Sequence, residues 1–335
     1  MNVMREFQIR SNEAGQRLDK YLKKLLCNAP GSFVYKMMRK KNIVLNGKKT
    51  AGAEQLKEGD LVTLFLSDET FLKFSGGEQA LSEYEKLKKI SGRLSVVYED
   101  PDVIIINKPA GMLSQKARES DLSANEYILA YLVREHVLTE EMMRTFKPSV
   151  CNRLDRNTSG LLIAGKTLRG LQEMSDALRM RTVKKYYRCI VRGEIKEETY
   201  VKGWLWKDSK TNRVTVSELR PNGQQGARAS MLAREIETEY RPVLVKNGYT
   251  ELEVHLITGR SHQIRAHLAY LGHPIIGDEK YGDRSINEQF RRRFGISSQL
   301  LHAYRMEFED GRAVTAPCPV EFDLIRNDLT ASCSH

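Results

Sequence analysis

Cysteine, tryptophan and long apolar runs are all scarce in this chain of 335 residues. The five cysteines are scattered (Cys27, Cys151, Cys189, Cys318 and Cys333) and form no CxxC pair, which excludes a disulfide framework and a zinc ribbon. The longest apolar runs, LVTLFL and VIII, are far shorter than the ~20 residues that a membrane helix needs. The start, MNVMREFQIR, has no signal-peptide core. We therefore expect a cytoplasmic protein with no membrane partner.

The composition is that of a globular protein with a concentrated excess of positive charge. Hydrophobic residues make up 41% and charged residues 29%, enough apolar material for a sizeable core. The net charge is +11, and residues 1–66 hold 13 Lys and Arg against 6 Asp and Glu. Such a basic region favours a polyanionic partner such as nucleic acid. A solvated basic face that aids solubility is the alternative.

The N-terminal 66 residues have the pattern of a small module of two helices and a sheet. RLDKYLKKLLCN carries leucines at helical spacing, and Ser32 is the expected N-cap of a second helix that ends in Arg39-Lys40-Lys41. Asn46-Gly47 predicts a hairpin turn, and Leu61–Leu66 a further strand.

This module resembles the α-L RNA-binding motif, named after a small-subunit ribosomal protein. The similarity covers about residues 15–66 and rests on RLDKYL followed by SFVYKMMRKKNIVLNGK. A DNA-binding helix-turn-helix is less favoured, because a hairpin follows a short loop between the helices. The resemblance implies RNA contacts by six basic side chains: Arg17, Lys20, Lys24, Lys36, Arg39 and Lys40.

The rest of the chain predicts a linker and one larger domain. Residues 67–92 are polar and contain Gly76-Gly77, which indicates a linker with one short helix around Leu81–Ile90. Residues 93–330 alternate apolar strands with occasional helices, and this strand-rich order favours an α+β domain over a doubly wound one.

The segment NRLDRNTSGLLIAGKT, Asn152–Thr167, is the densest candidate for chemistry. Asp155 stands between Arg153 and Arg156, and these cations would stabilise the ionised carboxylate and lower its pKa if they also lie near it in space. Taken alone, the segment is more typical of a surface turn with an ion pair, because such pairs greatly outnumber catalytic carboxylates. Its GLLIAGKT letters match a phosphate-loop pattern, but LLIA is typical of a buried strand, so we predict a strand there and reject NTP hydrolysis.

In its longest motifs the sequence resembles the RluA/RluC/RluD-type RNA pseudouridine synthases, with the RluC-type branch the most similar. NRLDRNTSGLL resembles the family signature HRLDRDTSGLL, with Asn152 and Asn157 in place of the usual His and Asp. The resemblance continues in VVYEDPDVIIINKPAGMLSQ, in KYY before Gly193, in LITGRSHQIRAHLAYLGHPIIGDEKYG and in LLHAYRMEF. It covers about residues 94–323 in the family order.

The resemblance implies the fold, the activity and the site. It implies an α+β catalytic domain around a mixed, largely antiparallel central sheet. It implies Asp155 as the catalytic carboxylate, Arg265 as its partner and Tyr187 beneath the target base, with Asp155 either nucleophile or base. RNA contacts are expected from the basic N-terminal module and from four further residues around the motifs: Arg153, Arg156, Arg260 and His262.

The implied reaction isomerises uridine in large-subunit (23S) ribosomal RNA and needs no cofactor, metal or nucleotide, since no electrons or groups are exchanged. We expect the chain to act as a monomer. His262 and His267 are five residues apart, a spacing that does not favour a metal site. The same chemistry on tRNA, or a non-catalytic RNA-binding role in ribosome assembly, are the alternatives.

Overall fold

The computed structural model describes residues 3–208, 213–221 and 227–331. Its first half contains β1 Val3–Gln8, α1 Leu18–Leu25, α2 Gly31–Arg39, β2 Ile43–Leu45, β3 Lys48–Lys49, β4 Leu61–Leu66, α3 Asp68–Phe74, α4 Gly77–Lys88, β5 Val96–Glu99, β6 Val103–Lys108, α5 Ala124–Arg134, α6 Glu140–Met143, β7 Ser149–Val150, β8 Ser159–Gly165 and α7 Leu168–Met180. Its second half contains β9 Lys184–Arg192, β10 Thr199–Lys207, β11 Val214–Ser217, α8 Ala227–Leu232, β12 Arg234–Lys246, β13 Tyr249–Leu256, α9 Gln263–Tyr270, α10 Arg284–Phe294, β14 Leu301–Glu307, β15 Ala313–Thr315 and α11 Val320–Ala331. Among the helices of these ranges, none has the length and apolar character to cross a membrane.

The chain divides into two compact units. Unit 1 comprises Met1–Ile105, Gln115–Asn152 and Ile163–Asp176, and unit 2 comprises Ile106–Ser114, Arg153–Leu162 and Ala177–His335. Each unit consists of three separate segments of the chain, whereas the sequence predicts two continuous domains, 1–66 and 93–330, with a linker at 67–92. The predicted domains stay a prediction.

The N-terminal part of unit 1 is a four-stranded antiparallel sheet in the order β1-β4-β2-β3, with α1 and α2. The expected helices, the hairpin and strand β4 are confirmed. The hairpin turn places Asn46 at φ 50° and Gly47 at φ 71°, the left-handed pair that a two-residue turn requires. Strand β1 was missed, although VMREFQ pairs with the whole of β4. The predicted N-cap was also wrong, because α2 begins at Gly31 with Pro30 as its N-cap.

The predicted linker contains two helices, α3 and α4. The Ser67 side chain caps α3 by accepting from the Thr70 N–H at 3.2 Å. Phe71 of α3 is buried in the core formed by α1, α2 and the small sheet, where its ring lies 5.9 Å from that of Phe7. The segment after residue 66 is therefore part of the N-terminal packing in unit 1.

Unit 2 is organised by a large sheet in the strand order β11-β10-β12-β13-β9-β14-β8-β6. In this order each strand from β10 to β14 pairs antiparallel with the next one. Strands β14 and β8 run parallel. The prediction of an α+β fold with a largely antiparallel sheet is confirmed. Ile190 of β9 packs with apolar side chains of α10 and α11, including Phe290, Phe322 and Ile325, on one face of this sheet.

Strand β8 settles the phosphate-loop match in favour of the predicted strand. All seven of its residues, Ser159–Gly165, are buried. A phosphate loop needs exposed backbone N–H groups, which a buried strand does not offer. At its start, Gly160 has φ +115° and lies so close to β14 that a Cβ atom would be 2.3 Å from the Ala303 carbonyl oxygen.

Candidate active site

Asp155 lies on the turn that leads into β8. The Ser114 hydroxyl donates to the Leu154 carbonyl at 2.9 Å and accepts from the Leu154 N–H at 3.0 Å, and the Thr158 N–H donates to the Asp155 carbonyl at 3.0 Å. The backbone on both sides of the carboxylate is therefore held in place. The Asp155 side chain is 27% exposed, so one edge of it is open to a ligand.

Arg265, in the first turn of α9, is the cation that pairs with Asp155. Its Nη1 donates to Asp155 Oδ2 at 2.7 Å. On its other edge, Nε and Nη2 donate to the two carboxylate oxygens of Asp278 at 2.7 and 3.0 Å. Such a two-pronged pair fixes the plane of the guanidinium group. The structure thus aims Arg265 at Asp155 from a buried anchor.

Asp278 is the anchor, and its side chain is fully buried. Burial alone would raise its pKa, but the hydrogen bonds and charge of Arg265 outweigh burial and hold the pKa of Asp278 below its usual value. Oδ1 also accepts the backbone N–H groups of Lys280 and Tyr281 at 2.8 and 3.0 Å. One carboxylate therefore orients both the guanidinium and the loop that follows.

Tyr187 is brought to the same site from the middle of the large sheet. It lies on β9 opposite Val254 of β13 and Ala303 of β14, and it is only 6% exposed. Burial raises the pKa of its phenol, and the negative charge of Asp155 raises it further. The phenol and the carboxylate are thus within electrostatic range of each other.

His262 and Tyr281 complete the surroundings of Asp155. His262, the residue before α9, places Nε2 3.9 Å from Asp155 Oδ1 and Nδ1 3.0 Å from the Tyr281 hydroxyl. The Tyr281 ring also lies near three cations, with Arg265 Cζ at 5.4 Å, Arg213 Cζ at 5.8 Å and Lys280 Nζ at 5.9 Å from its centre. This ring is held by electrostatic attraction as well as by packing.

Lys108, the last residue of β6, is a buried ammonium group beneath the turn that carries Asp155. Its Nζ donates to the carbonyls of Pro109, Met112 and Arg156 at 2.9, 2.8 and 3.2 Å. Burial lowers the pKa of Lys108 to about 8, against the opposing effect of Asp155. The side chain ties the NKPAGM loop to the backbone next to Asp155.

Unit 2 therefore places Arg265 and His262 beside Asp155, with Tyr187 within electrostatic range. The catalytic and RNA-binding roles of these residues stay predictions. The ion pair of Asp155 is with Arg265, whereas the neighbouring Arg156 directs Nε to the Gly111 carbonyl at 3.2 Å. Three predicted RNA contacts of this unit are exposed at the surface: Arg153, Arg156 and Arg260.

The six predicted RNA contacts of the N-terminal module all lie in unit 1 and are exposed: Arg17, Lys20, Lys24, Lys36, Arg39 and Lys40. Two of them have protein partners. Arg17 donates Nε to Asp19 at 3.1 Å, and Lys24 donates to the Gln16 side chain at 3.0 Å.

The sequence reasoning did not assign Asp278, Tyr281 or Lys108, although the letters GDEKYG and NKPAG that contain them were part of the resemblance. Their positions next to Arg265, His262 and the Asp155 turn depend on pairing across unit 2, which spacing alone does not show. In the part of the chain that the structure describes, no group of three or more His, Cys, Asp or Glu side chains is arranged to hold a metal ion.

Comparisons with known proteins agree on one family. The family model described as RNA pseudouridylate synthase matches residues 102–270, half of the chain. The "Ribosomal large subunit pseudouridine synthase C" of Vibrio cholerae serotype O1 is 30% identical over 295 residues, which cover 88% of this chain and 85% of that protein. The protein of the same name from Escherichia coli K12 is 28% identical, over 90% of this chain and 87% of that protein.

Solved structures show the same fold at low sequence identity. "Human RNA Pseudouridylate Synthase Domain Containing 4" superposes with a TM-score of 0.56 at 18% identity, over 76% of this chain and 97% of that one. "Human RNA Pseudouridylate Synthase Domain Containing 1" gives 0.52 at 21% identity, over 69% and 86%. Given the match of the family model and the Vibrio relative, this chain belongs to the RNA pseudouridylate synthase family.

Proposed function

We propose that this protein converts uridine to pseudouridine in large-subunit ribosomal RNA, with Asp155 as the catalytic carboxylate. The observation that carries the proposal is the chain of contacts from buried Asp278 through Arg265 to Asp155 Oδ2. In this series of contacts the guanidinium group binds Oδ2 of Asp155. The other oxygen, Oδ1, is left beside a partly open surface. The substrate class rests on the name shared by the bacterial relatives, which specifies the large ribosomal subunit.

The reaction breaks the bond between N1 of uracil and C1′ of ribose, turns the base, and joins C5 to the same C1′. The C5 proton is lost, N1 gains one, and no electrons are exchanged, so the chemistry needs no cofactor. An ionised carboxylate can attack C1′ or remove a proton from the sugar, and Asp155 can take either role. Arg265 pairs with that carboxylate and orients it.

We infer that Tyr187 serves as a platform for the target base. Its ring is fixed in the sheet and its pKa is raised by burial, so the phenol keeps its proton at neutral pH. Neither C1′ nor C5 is accessible inside a paired helix, so the target nucleotide must leave its stack to reach Asp155.

The basic side chains of the N-terminal module would hold phosphates of the RNA around the target. Such contacts add affinity and position the RNA but carry little sequence information. We infer an α-L-type RNA-binding role for residues 1–66, and a monomeric, cytoplasmic enzyme.

The direct test is release of tritium from RNA labelled at uracil C5. We expect release by the wild type without added nucleotide or metal, and at least a thousandfold less by Asp155→Asn, which keeps the shape of the side chain but loses its charge. Asp310→Asn is the matched control, because Asp310 pairs locally with Arg312 on the surface.

The substrate is tested with separate RNAs. Large-subunit ribosomal RNA fragments and tRNA are supplied at equal concentration, and pseudouridine is located by mass spectrometry. Faster conversion of tRNA than of the ribosomal fragments would reject the proposed substrate. Full activity of Asp155→Asn would reject the proposed role of the carboxylate.

A further inference from the structure

His262 and Tyr281 share a hydrogen bond that the proposed function does not use. The backbone N–H of Val214 donates to the Tyr281 hydroxyl oxygen at 3.0 Å, and His262 Nδ1 lies 3.0 Å from the same oxygen. A backbone N–H can only donate, so the phenol oxygen is the acceptor from Val214 and its own proton is left for another partner. His262 Nδ1 is the acceptor in reach. A neutral imidazole that accepts at Nδ1 carries its proton on Nε2.

Burial keeps both members of the pair in the required form. Burial is the largest influence on His262 and lowers its pKa, helped by Arg265 and Lys280 and opposed by Asp155 and Asp278. Burial likewise raises the pKa of Tyr281. At neutral pH the imidazole is therefore uncharged and the phenol protonated.

The Nε2 atom of His262 faces the carboxylate oxygen that Arg265 does not hold. The distance to Asp155 Oδ1 is 3.9 Å, which is too long for a direct hydrogen bond. Nε2–H and Oδ1 thus border the same space. In the proposed function this space receives the ribose, whose ring oxygen and 2′-hydroxyl flank C1′.

Both residues are held firmly in these positions. His262 has φ 56° and ψ 18°, a left-handed backbone that is uncommon for a residue with a side chain and persists only where the surroundings impose it. Tyr281 is fixed through its backbone N–H, which Asp278 accepts, and through the cations near its ring.

We propose that Tyr281 fixes the Nε2–H tautomer of His262 and that this N–H donates to a ribose oxygen of the target uridine beside Asp155. The kinetic part of this inference rests on the proposed function, whereas the tautomer is a property of the free protein. Tyr281 is then a positioning residue, and His262 contacts the substrate.

The test uses the full-length protein and the variant Tyr281→Phe, which keeps the ring and loses only the hydroxyl. In the wild type, the imidazole ¹⁵N NMR shifts of His262 should show the proton on Nε2, and Tyr281→Phe should mix the two tautomers. With C5-tritiated ribosomal RNA fragments, we expect a single-turnover rate about tenfold lower in the variant and an RNA dissociation constant within twofold of wild type.

His262→Asn is the second variant, since Asn tolerates the left-handed backbone but does not reach as far as Nε2. It should lose at least as much rate as Tyr281→Phe. A proton on Nδ1 in the wild type, or an unchanged single-turnover rate in both variants, would overturn the inference. An inactive wild type would instead reject the proposed function, and the NMR shifts would still decide the tautomer.

Discussion

At the scale of single residues, the site depends on charged groups that are buried and paired. Asp278 has no exposed side-chain surface, and it carries both the Arg265 pair and the start of the loop to Tyr281. Removing one partner of a buried ion pair leaves the other charge uncompensated. The consequences should therefore appear in both stability and activity.

For Asp278→Asn, we expect the free energy of unfolding to fall by about 3 kcal/mol or more. The turnover number of the folded fraction should fall by about 10- to 100-fold, because Arg265 is no longer aimed at Asp155. Urea unfolding and tritium release measure the two effects. Asp283→Asn is the control: Asp283 caps α10, and Asn caps helices equally well, so both quantities should stay near wild type. An unchanged turnover number in Asp278→Asn would remove Asp278 from the positioning chain.

Lys108 should make stability depend on pH in the alkaline range. Its folded-state pKa of about 8 lies below the value of an unfolded lysine, so between pH 8 and roughly 10.4 the unfolded chain binds more protons. The free energy of unfolding of the wild type should therefore rise with pH over this interval, whereas that of Lys108→Met lacks this contribution. We expect the difference, wild type minus variant, to increase by roughly 2–3 kcal/mol.

Denaturant curves at several pH values test this difference. Lys196→Met is the control, because the Lys196 side chain is 74% exposed, and its curve should run parallel to that of wild type. If the curves of Lys108→Met and wild type were also parallel, the ammonium group would not be the source of the pH dependence.

At the scale of elements, the join between β8 and β14 shows how the site is supported. The Asp155 turn ends where β8 begins, and there Gly160 meets the Ala303 backbone at a distance that leaves no room for a side chain. The Gln299 side chain donates to the Thr158 hydroxyl at 3.1 Å in the same region. Close packing of two strands thus fixes the turn that carries Asp155, the proposed catalytic carboxylate.

Gly160→Ala should cost about 3 kcal/mol or more in the free energy of unfolding, from the clash and from the positive φ together. Gly248→Ala is a matched control: Gly248 also has a positive φ, but nothing lies within 4 Å of its added Cβ, so about 1–2 kcal/mol is expected. Thermal or urea unfolding compares the two. Equal losses would mean that the contact with Ala303 has no effect of its own.

At the scale of the whole molecule, the net charge of +11 should govern how RNA binding responds to salt. Counterions are released only where the protein contacts phosphates. The salt dependence of RNA binding therefore depends on the position of each charged residue as well as on the net charge. The basic end of α2 is part of the surface proposed to contact RNA. The basic end of α4 has no such proposed role.

A triple variant that replaces Lys36, Arg39 and Lys40 by Ser should reduce the slope of log affinity against log salt by about 2 and weaken RNA binding at 100 mM salt. The control variant replaces Lys86, Lys88 and Lys89 in the same way. These lysines are also exposed, and their replacement lowers the net charge by the same amount. Filter binding over a range of salt concentrations measures both. If the two variants lost the same slope, the effect would come from net charge, and α2 would have no special role.

The helices and strands with strong local patterns were predictable from the sequence. The apolar run LVTLFL, the leucine spacing of α1 and the Asn46-Gly47 turn are local signals, and the structure agrees with each. Strand β1 and helix α3 were missed because their apolar residues acquire a meaning only through packing against β4 and the core around Phe71.

By itself, the sequence determined the family resemblance, the α+β class and the identity of Asp155, Tyr187, Arg265 and His262 as candidates, because motif letters and local periodicity are contained in the chain order. The resemblance also implied Arg265 as the partner of Asp155. Only the tertiary structure decided that Arg156 contacts the Gly111 carbonyl instead, and that Asp278 and Tyr281 stand behind Arg265 and His262. Ion pairs and hydrogen bonds depend on distances between residues far apart in the chain, which a linear pattern does not contain.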